Sequence, residues 1–510
     1  MAQDHREIED KYDVDMDRPV PRLDEVPGVR SVDDPVEYEL EATYFDTPAL
    51  ALTAAAVTLR RRTGGEDAGW HLKLPNPEGR LEVRVPLARA TRTVPKQLRA
   101  TVLGLIRGEP MSPIATVRTR RTVYRLRDKR GRALADLSDD RVAAHTPATE
   151  HDEATSTEWR EWEVELVEGD RGVLERVAEA LVAAGATPSA APSKLARALD
   201  DRTPGPRYGP PPVPRRKGPA ADLAGARLLE LVTELRRRDP QVRHDVPDSV
   251  HKMRVALRRL RSALATYRPL LDREVTDPLR DELKWLGGVL SDARDAEVTL
   301  ERLQEMIAAE PAVLVRGPVL RRVRRELGDQ YRAARVRALA AMQSERYFAL
   351  LDRLDDLLAD PPWTDRARDR VRDVLPGRVR RDWKRLARRV SAVSETDDAV
   401  ERNLRLHAAR KAAKRARYAA EPMVALYGDD AASFVRATKT IQTVLGDHQD
   451  AVVAQPKLRD LADTAAAAGE NAFTFGVLDV REEALAARTA AQFEDIWRAA
   501  SRKRLRAWLS

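Results

Sequence analysis

The chain has 510 residues and a mass of 57.1 kDa; 34% of its residues are charged, 5% are aromatic and none is cysteine. This length exceeds one compact core and predicts about two to four domains. The lack of cysteine excludes disulfides, thiolate metal sites and a cysteine nucleophile. The N-terminus lacks the pattern of a signal peptide, and no stretch approaches about 18 uncharged apolar residues. We therefore expect a cytoplasmic protein without a membrane partner.

Charge is distributed unevenly along the chain. Residues 1–203 hold 31 Lys and Arg against 37 Asp and Glu, a net charge of −6, whereas residues 204–510 hold 59 against 45, a net charge of +14. Seven of the sixteen residues in 204–219 are proline, which fixes φ and removes an N–H, so this segment predicts an extended linker. We therefore predict a domain over 1–203 and a basic domain over 220–510 that faces a polyanion.

Before the linker, short runs alternate charged and apolar residues, which predicts a mostly β domain. Examples are Glu7-Ile8-Glu9 and the segments 58–62, 70–74, 81–85 and 161–166. Because side chains i and i+2 share a face, each strand has a charged face and an apolar face. For a single strand this is also the pattern of a sheet with one solvated face. For all the strands together, a closed barrel with a polar lumen would gather the charges.

Glu7-Ile8-Glu9-Asp10-Lys11 resembles the Glu-x-Glu-x-Lys opening of the CYTH, or triphosphate tunnel metalloenzyme, superfamily. Further matching residues follow in that family's order over about residues 4–202. They are Arg60 with Arg62, Lys73, Arg118 with Arg120, an acidic residue among Asp136, Asp139 and Asp140, Glu163 with Glu165, and Lys194.

This resemblance implies an eight-stranded antiparallel tunnel that binds a triphosphate group with Mg²⁺ or Mn²⁺. The basic residues expected to neutralise phosphate are Lys11, Arg60, Arg62, Lys73, Arg118, Arg120 and Lys194. The expected metal ligands are Glu7, Glu9, Asp136, Asp140, Glu163 and Glu165. Glu7, Glu9 and Lys11 are the expected catalytic residues. The resemblance gives Glu82, Arg84 and Glu161 no fixed role, and we interpret them as solvated or barrel-stabilising charges.

After the linker, apolar residues recur at helical spacing, which predicts an all-α domain with an internal duplication. Two basic segments share the offsets 0, 3, 7 and 10: His251, Arg254, Arg258 and Arg261 in the first, and His407, Arg410, Lys414 and Arg417 in the second. A second motif recurs at 289–296 and 444–451, and the two motifs are shifted by 156 and 155 residues. We predict a repeat over about 220–375 and 376–510, each copy a helical bundle, packed with approximate two-fold symmetry.

The shared offsets place four basic side chains on one helix face. No acidic residue interrupts either face, and this favours a line of phosphates over an ordinary solvated surface. The second motif carries Asp292 and Asp295 in the first copy and Asp447 and Asp450 in the second, and these four aspartates are expected to orient the arginines. The two histidines, His251 and His407, are interpreted as phosphate contacts, with core packing or capping as the alternative. No second histidine lies at metal-ligand spacing within either helix.

These helices resemble the CHAD domain, the conserved histidine α-helical domain, over about residues 220–510. The resemblance also rests on Leu445-Gly446-Asp447-His448-Gln449-Asp450. It implies binding of inorganic polyphosphate on a basic surface, and association with polyphosphate granules.

We therefore predict a metal-dependent hydrolase of inorganic triphosphate or short polyphosphate, joined to a polyphosphate-binding domain. One alternative is a non-catalytic polyphosphate-binding protein. Another is a tunnel enzyme for an organic triphosphate, of the adenylate cyclase or thiamine triphosphatase type. Nucleic acid is disfavoured as a partner, because few aromatic residues lie near the basic stripe to stack on bases.

Overall fold

The computed structural model describes residues 3–76, 79–87, 93–150, 152–205 and 208–509; for residues 3–7, 76, 79 and 80 it describes the backbone only. The chain divides into two compact units, Met1–Gly209 and Pro210–Ser510. The division falls inside the proline-rich segment. The first unit is built on an antiparallel sheet and the second is all-helical, so the prediction of these two classes is confirmed.

The sheet unit has eleven strands among its described residues, and every pairing is antiparallel. The strands are β1 (Gln3–Glu7), β2 (Glu9–Val14), β3 (Ser31–Val32), β4 (Val36–Asp46), β5 (Thr58–Thr63), β6 (Gly69–Asn76), β7 (Gly79–Pro86), β8 (Ser112–Arg127), β9 (Ala133–Thr146), β10 (Thr155–Leu166) and β11 (Thr187–Pro188). Their order in the sheet is β1-β7-β6-β5-β4-β8-β9-β10-β2-β11, and β3 pairs with β8. The helices of this unit are α1 (Ala51–Ala54), α2 (Lys96–Thr101), α3 (Leu103–Ile106), α4 (Arg171–Ala183) and α5 (Lys194–Leu199).

The predicted closed barrel of eight strands is not confirmed. Only Ile8 separates β1 from β2, yet β1 pairs with β7 while β2 pairs with β10. The first extended segment therefore contributes to both flanks of the sheet. Within the described residues no hydrogen-bonded ladder joins β1 to β11, the two ends of the strand order.

The apolar side chains of the strands pack under the helices of the sheet unit. Leu59 and Leu72 share a core with Ile106 of α3, and Trp162 packs with Val177 of α4. Because side chains alternate along a strand, the charged residues between these positions face the other side of the sheet. The alternation in the sequence thus gives the sheet a charged inner face and an outer face that is apolar where the helices cover it.

The helical unit contains ten α-helices in the described part of the chain. They are α6 (Ala220–Arg243), α7 (Ser249–Thr266), α8 (Arg273–Val289), α9 (Ser291–Ala309), α10 (Val319–Met342), α11 (Glu345–Ala359), α12 (Val371–Ser391), α13 (Ala399–Ala420), α14 (Val424–Ala467) and α15 (Phe473–Ala500). Gly428 has a non-helical backbone (φ 53°, ψ −133°) and breaks α14 near its start. None of these helices is both long and apolar enough to cross a membrane.

The two predicted halves of the helical unit share their hydrophobic cores. Leu257 of α7 belongs to the same core as Leu386 of α12 and Ile441 of α14. A smaller cluster joins Leu303 of α9 to Leu458 of α14. Two separate bundles are therefore not confirmed, since helices from both halves bury their apolar faces together.

Candidate active site and candidate anion-binding face

A charged cavity of about 430 Å³ lies on the inner face of the sheet. Strands β2 and β4 to β10 and the start of α5 line it, and its walls carry eight cationic side chains and six carboxylates among the described residues. The charged lining residues are Glu9, Lys11, Arg60, Arg62, Glu66, Asp67, Lys73, Arg84, Arg121, Arg125, Asp136, Glu163, Glu165 and Lys194. The cavity therefore collects both signs of charge, with cations in excess.

Basic residues of β5, β6 and β7 form one side of the cavity, which we call the cationic arc: Arg60, Arg62, Lys73 and Arg84. Asp67 forms an ion pair with Arg62 at the rim. Burial, together with the neighbouring Arg60 and Arg121, nevertheless lowers the pKa of Arg62 to about 9. This shift reflects the cost of gathering buried cations, and a bound anion would reduce that cost.

Three carboxylates occupy one transverse row, the carboxylate row, formed by Asp136 on β9, Glu165 on β10 and Glu9 on β2. The strand register places Glu165 directly opposite both of the others. Arg125 donates to Asp136 at 2.8 and 2.7 Å, and Lys11 lies 3.4 Å from Glu9. Carboxylate oxygens beside open space are the ligands that Mg²⁺ and Mn²⁺ prefer. The row is therefore one candidate site for a hard divalent cation, and Arg125 and Lys11 contact two of its three carboxylates.

A second acidic group, the buried triad, consists of Asp140, Glu161 and Glu163, whose oxygens lie within 4.8 Å of one another. The Lys194 ammonium lies 2.8, 2.6 and 2.8 Å from these three side chains. Arg121 adds contacts of 2.6 Å to both Asp140 and Glu163. Although burial opposes ionisation, the surrounding cations hold the pKa of Glu163 well below its usual range. A metal ion at the triad would have to displace Lys194, so we assign the triad to positioning cations.

Two local features place the lysines of this cluster. The Ser193 side chain accepts a hydrogen bond from the Ala196 amide at 3.1 Å, so α5 begins at Lys194 and that side chain enters the interior. Lys11 contacts Glu163 across the β2–β10 ladder. Burial lowers the pKa of Lys11, but Glu163 and Glu9 outweigh it and raise the pKa above its ordinary value. Both lysines therefore remain charged.

The prediction that Arg118 and Arg120 face the cavity is wrong. Their side chains are 76% and 66% exposed and pair with Glu41 and Glu39 on the outer face of β4. The inward positions of β8 are those of Thr119, Val123 and the arginines at 121 and 125. A shift of one residue along a strand moves every side chain to the opposite face. The sequence pattern identified the strand but assigned its two faces the wrong way round.

Other sequence predictions have mixed outcomes. Asp136 lines the cavity, Asp140 lies behind the lining in the buried triad, and Asp139 pairs with Arg160 at 2.7 Å. The side chain of Glu7 lies outside the described part of the structure.

Of the three charges interpreted as solvated or barrel-stabilising, two are buried: Glu82 is 0% and Glu161 is 3% exposed. Arg84 lines the cavity, and its side chain is 32% exposed.

The sequence reasoning missed two arginines and two tyrosines of the cavity. Arg121 directly follows the predicted pair on β8, and Arg125 is on the same face four residues later. Tyr38 and Tyr44 of β4 also line the cavity, and the Tyr44 hydroxyl lies 3.4 Å from Arg60. The alternation of Val117, Thr119 and Arg121 was the available signal for the inner face.

In the helical unit, α7 and α13 carry the predicted basic stripes, and their central residues lie close together. Arg258 of α7 donates to the Tyr418 hydroxyl of α13 at 3.4 Å. Lys414 is half-buried, and burial together with Arg258 and Arg410 lowers its pKa to about 7. The described contacts thus combine parts of both stripes into one cationic face, which we call the stripe face.

Equivalent residues of the two copies make equivalent contacts. Arg254 lies 3.1 Å from Asp295, and Arg410 lies 4.0 Å from Asp450. Arg254 also donates to Ser291 at 2.9 Å. In the second copy a Cβ added at Gly446 would lie 3.2 Å from Arg410 Nη2. Glycine therefore leaves room for the arginine where the first copy uses a hydroxyl to hold it.

The outer members of the stripes have separate surroundings. Burial and Arg280 lower the pKa of Arg261, and Arg417 lies 3.5 Å from Glu421. His251 and His407 are half-buried, and burial and neighbouring cations lower the pKa of each ring. These histidines are therefore neutral at neutral pH in the absence of an anion.

Comparison with known proteins identifies both units. A family model of the CYTH domain matches residues 5–198, and one of the CHAD domain matches residues 226–459. An uncharacterised protein of Mycobacterium tuberculosis (strain CDC 1551 / Oshkosh) is 38% identical over 501 residues, covering 96% of this chain and 95% of its own. The chain therefore belongs to the proteins that join a CYTH domain to a CHAD domain, and the resemblance found in the sequence is confirmed.

Two solved structures match part of the chain. PptA from Streptomyces chartreusis is 23% identical and covers 55% of this chain and 99% of its own, with a TM-score of 0.45. The CHAD domain from the plant Ricinus communis is 25% identical and covers 59% of this chain and 96% of its own, also with a TM-score of 0.45.

Proposed function

We propose that the sheet unit hydrolyses inorganic triphosphate or short polyphosphate with a divalent metal, and that the helical unit binds inorganic polyphosphate. One observation carries the first part: the cationic arc and the carboxylate row line a single cavity. Arginine and lysine side chains suit the oxygens of a multiply charged phosphate chain. CYTH proteins are tunnel metalloenzymes, and the cavity is consistent with that class.

The carboxylate row favours an enzyme over a protein that only binds anions. Glu9, Glu165 and Asp136 add negative charge to a cavity whose cations would otherwise hold phosphate more tightly. Directly opposite like charges on neighbouring strands are unfavourable. Such an arrangement is useful where a cation binds between the carboxylates and the phosphate. Glu9, Glu165 and Asp136 would hold Mg²⁺ or Mn²⁺, which supplies Lewis-acid stabilisation of phosphate oxygens when bound.

The reaction we propose joins a water oxygen to the terminal phosphorus and breaks the bond between that phosphorus and the bridging oxygen. It releases phosphate and the shortened chain, and the proton lost by the water passes to solvent. Negative charge develops on the leaving phosphate oxygen. Arg60, Arg62 and Lys73 are placed to stabilise that charge, and preorganised charge of this kind is a major source of catalysis in phosphoryl transfer. The buried triad holds Lys194 and Arg121 in fixed positions at the end of the cavity.

The stripe face supports the second part of the proposal. Arg258, Arg410 and Lys414 lie near one another and repel, so a bound polyanion would stabilise this region. Polyphosphate carries regularly spaced charges and needs no aromatic stacking. The helical unit would then retain long polyphosphate while the sheet unit cleaves short chains.

The test is release of phosphate from inorganic triphosphate, ATP and long-chain polyphosphate, each with Mg²⁺, Mn²⁺ or EDTA. We expect metal-dependent release that is fastest with inorganic triphosphate or short polyphosphate. Glu165→Gln should abolish it, whereas the matched control Glu41→Gln, on the outer face, should retain it. Equal metal-independent release by all three proteins, or no release from any substrate, would contradict the proposed enzyme. Preference for ATP would instead favour the organic triphosphate alternative.

A further inference from the structure

His71 lies on β6 beside the cationic arc, and the reaction proposed above does not use it. Its side chain is 1% exposed. Ring Nδ1 lies 3.0 Å from Glu82 Oε1, and ring Nε2 lies 2.9 Å from the backbone oxygen of Asp67. Both ring nitrogens thus lie within hydrogen-bonding distance of protein oxygens.

The chemistry of these two oxygens determines which form of the ring they favour. A backbone carbonyl accepts hydrogen bonds and cannot donate, and an ionised carboxylate is likewise an acceptor only. A neutral imidazole has a single N–H, so it can donate to only one of the two oxygens. At the other contact, the lone pair of the ring nitrogen would face a lone pair of the oxygen. The imidazolium form donates to both oxygens. The geometry around His71 therefore matches the protonated ring.

The two partners of His71 lead to the phosphate-binding cations. Glu82 is fully buried, contacts Arg84, and lies 3.8 Å from Lys73. Asp67 belongs to the turn between β5 and β6, and its carboxylate pairs with Arg62 at the cavity rim. His71 thus links two groups that contact the cationic arc. Through the Asp67 backbone it reaches the residue that pairs with Arg62, and through Glu82 it reaches the carboxylate beside Lys73 and Arg84.

The charges around His71 oppose its protonation while the cavity holds no anion. Arg60 on β5 and Arg84 on β7 are its cross-strand neighbours, and Arg62 and Lys73 lie nearby. Burial lowers the pKa of His71 to about 4, and Arg60 and Arg62 lower it while Glu82 opposes them. A bound phosphate chain would neutralise those arginines and raise the pKa of the ring.

We propose that His71 is a positioning residue that takes up a proton when triphosphate enters the cavity, and that the protonated ring then ties the β5–β6 turn to Glu82. This inference rests on the proposed triphosphate site. The bound triphosphate would neutralise the cationic arc, and the proton that His71 then gains would strengthen its hydrogen bond to the Asp67 backbone. Asp67 would in turn hold the Arg62 side chain in position. Because the bound state holds one more proton, affinity for triphosphate must rise as pH falls and weaken as pH rises.

The test is calorimetric titration of the full chain with inorganic triphosphate in EDTA, which prevents turnover, at pH near 6 in two buffers of different ionisation enthalpy. The difference between the buffers gives the protons taken up. We expect wild type to take up about 0.5 to 1 proton more than His71→Gln. The control His145→Gln removes an exposed histidine on β9 and should match wild type. Subtracting the variant from wild type cancels protons carried by the ligand itself.

A second measurement does not depend on the folding of the variant. The ring ¹⁵N shifts of the eight histidines, followed against pH with and without triphosphate, should show one buried ring whose pKa rises on binding. Equal proton uptake by wild type and a folded His71→Gln, or the absence of any buried ring whose titration changes with triphosphate, overturns the role of His71 alone. Failure of wild type to bind triphosphate contradicts the proposed function as well.

Discussion

The two units gather cations in different ways, and the difference indicates what each does with an anion. In the sheet unit, buried carboxylates hold Lys194 and Arg121 through contacts of 2.6 to 2.8 Å. In the helical unit, Lys414 lies among arginines and its pKa falls to about 7. The first arrangement is internally compensated, which suits the proposed hydrolysis because the cations stay in place without a ligand. In the second arrangement the positive charges of Lys414 and its neighbouring arginines repel one another, and a bound anion would reduce this repulsion.

The largest effect is expected when the Lys194 ammonium, which compensates the charge of the buried triad, is removed. Lys194→Met leaves Asp140, Glu161 and Glu163 without a contact that each now has. Loss of one partner of a buried ion pair costs roughly 3–5 kcal/mol of unfolding free energy. The control Arg197→Met removes a partly exposed cation on the same helix and should cost less than about 1 kcal/mol. Urea unfolding measures both. Equal costs would show that the triad is not a compensated cluster.

The cationic arc is tested by comparing arginines that face opposite sides of the sheet. Arg60→Ala removes a cavity cation and should lower kcat/KM for inorganic triphosphate by about 100-fold, the loss typical of a group that stabilises developing charge. Arg120→Ala removes an outer-face cation and should leave kcat/KM within about twofold. Steady-state kinetics measures kcat/KM for both variants. A large loss of kcat/KM in Arg120→Ala alone would mean that Arg120 binds the substrate, as predicted from the sequence.

The stripe face is tested by removing charges that come from both basic helices. The double variant Arg258→Ala with Lys414→Ala should weaken polyphosphate binding by at least about tenfold and reduce the slope against log salt by about two, by analogy with nucleic acids. Hydrolysis of triphosphate should be unchanged. The control pair Arg321→Ala with Arg324→Ala removes two exposed cations of α10. Equal weakening by both pairs would mean that net charge alone governs binding.

The smallest expected effect is a pH dependence confined to the stripe face. With a pKa of about 7, Lys414 is largely neutral at pH 8 before binding. A polyanion favours its protonated form, so affinity should decrease by a few fold between pH 6 and pH 8. Lys414→Arg, which stays protonated, should reduce this decrease to the part that His251 and His407 contribute, and the exposed control Lys411→Arg should keep it in full. An unchanged pH profile in Lys414→Arg would contradict the pKa shift.

The sequence predicted where the strands lie better than it predicted which side chains of each strand face the cavity. Alternation along 58–62 and 70–74 placed Arg60, Arg62 and Lys73 in the cavity, because Leu59 and Leu72 between them fill the apolar core. On β8 the run Arg118-Thr119-Arg120-Arg121 offers arginines to both faces. The alternation of Val117 and Thr119 favoured the face of Arg121, but the pairing with β4 and β9 is what buries that face, and the pairing is not local information.

The same limit applies to the acidic residues and to the helices. Asp136, Asp139 and Asp140 are too close in sequence for composition to separate them, and the register of β9 against β10 sends them to three different surroundings. The duplicated stripes of α7 and α13 were evident from their spacing. Their convergence depends on the shared core, which the spacing could not predict.

We propose that the carboxylate row, rather than the buried triad, holds the metal. The direct measurement is anomalous diffraction from crystals grown with Mn²⁺ and a non-hydrolysable triphosphate. We predict a manganese peak beside Glu9, Glu165 and Asp136, with Lys194 still in contact with Glu161. A manganese peak among Asp140, Glu161 and Glu163, with Lys194 displaced, would contradict the account.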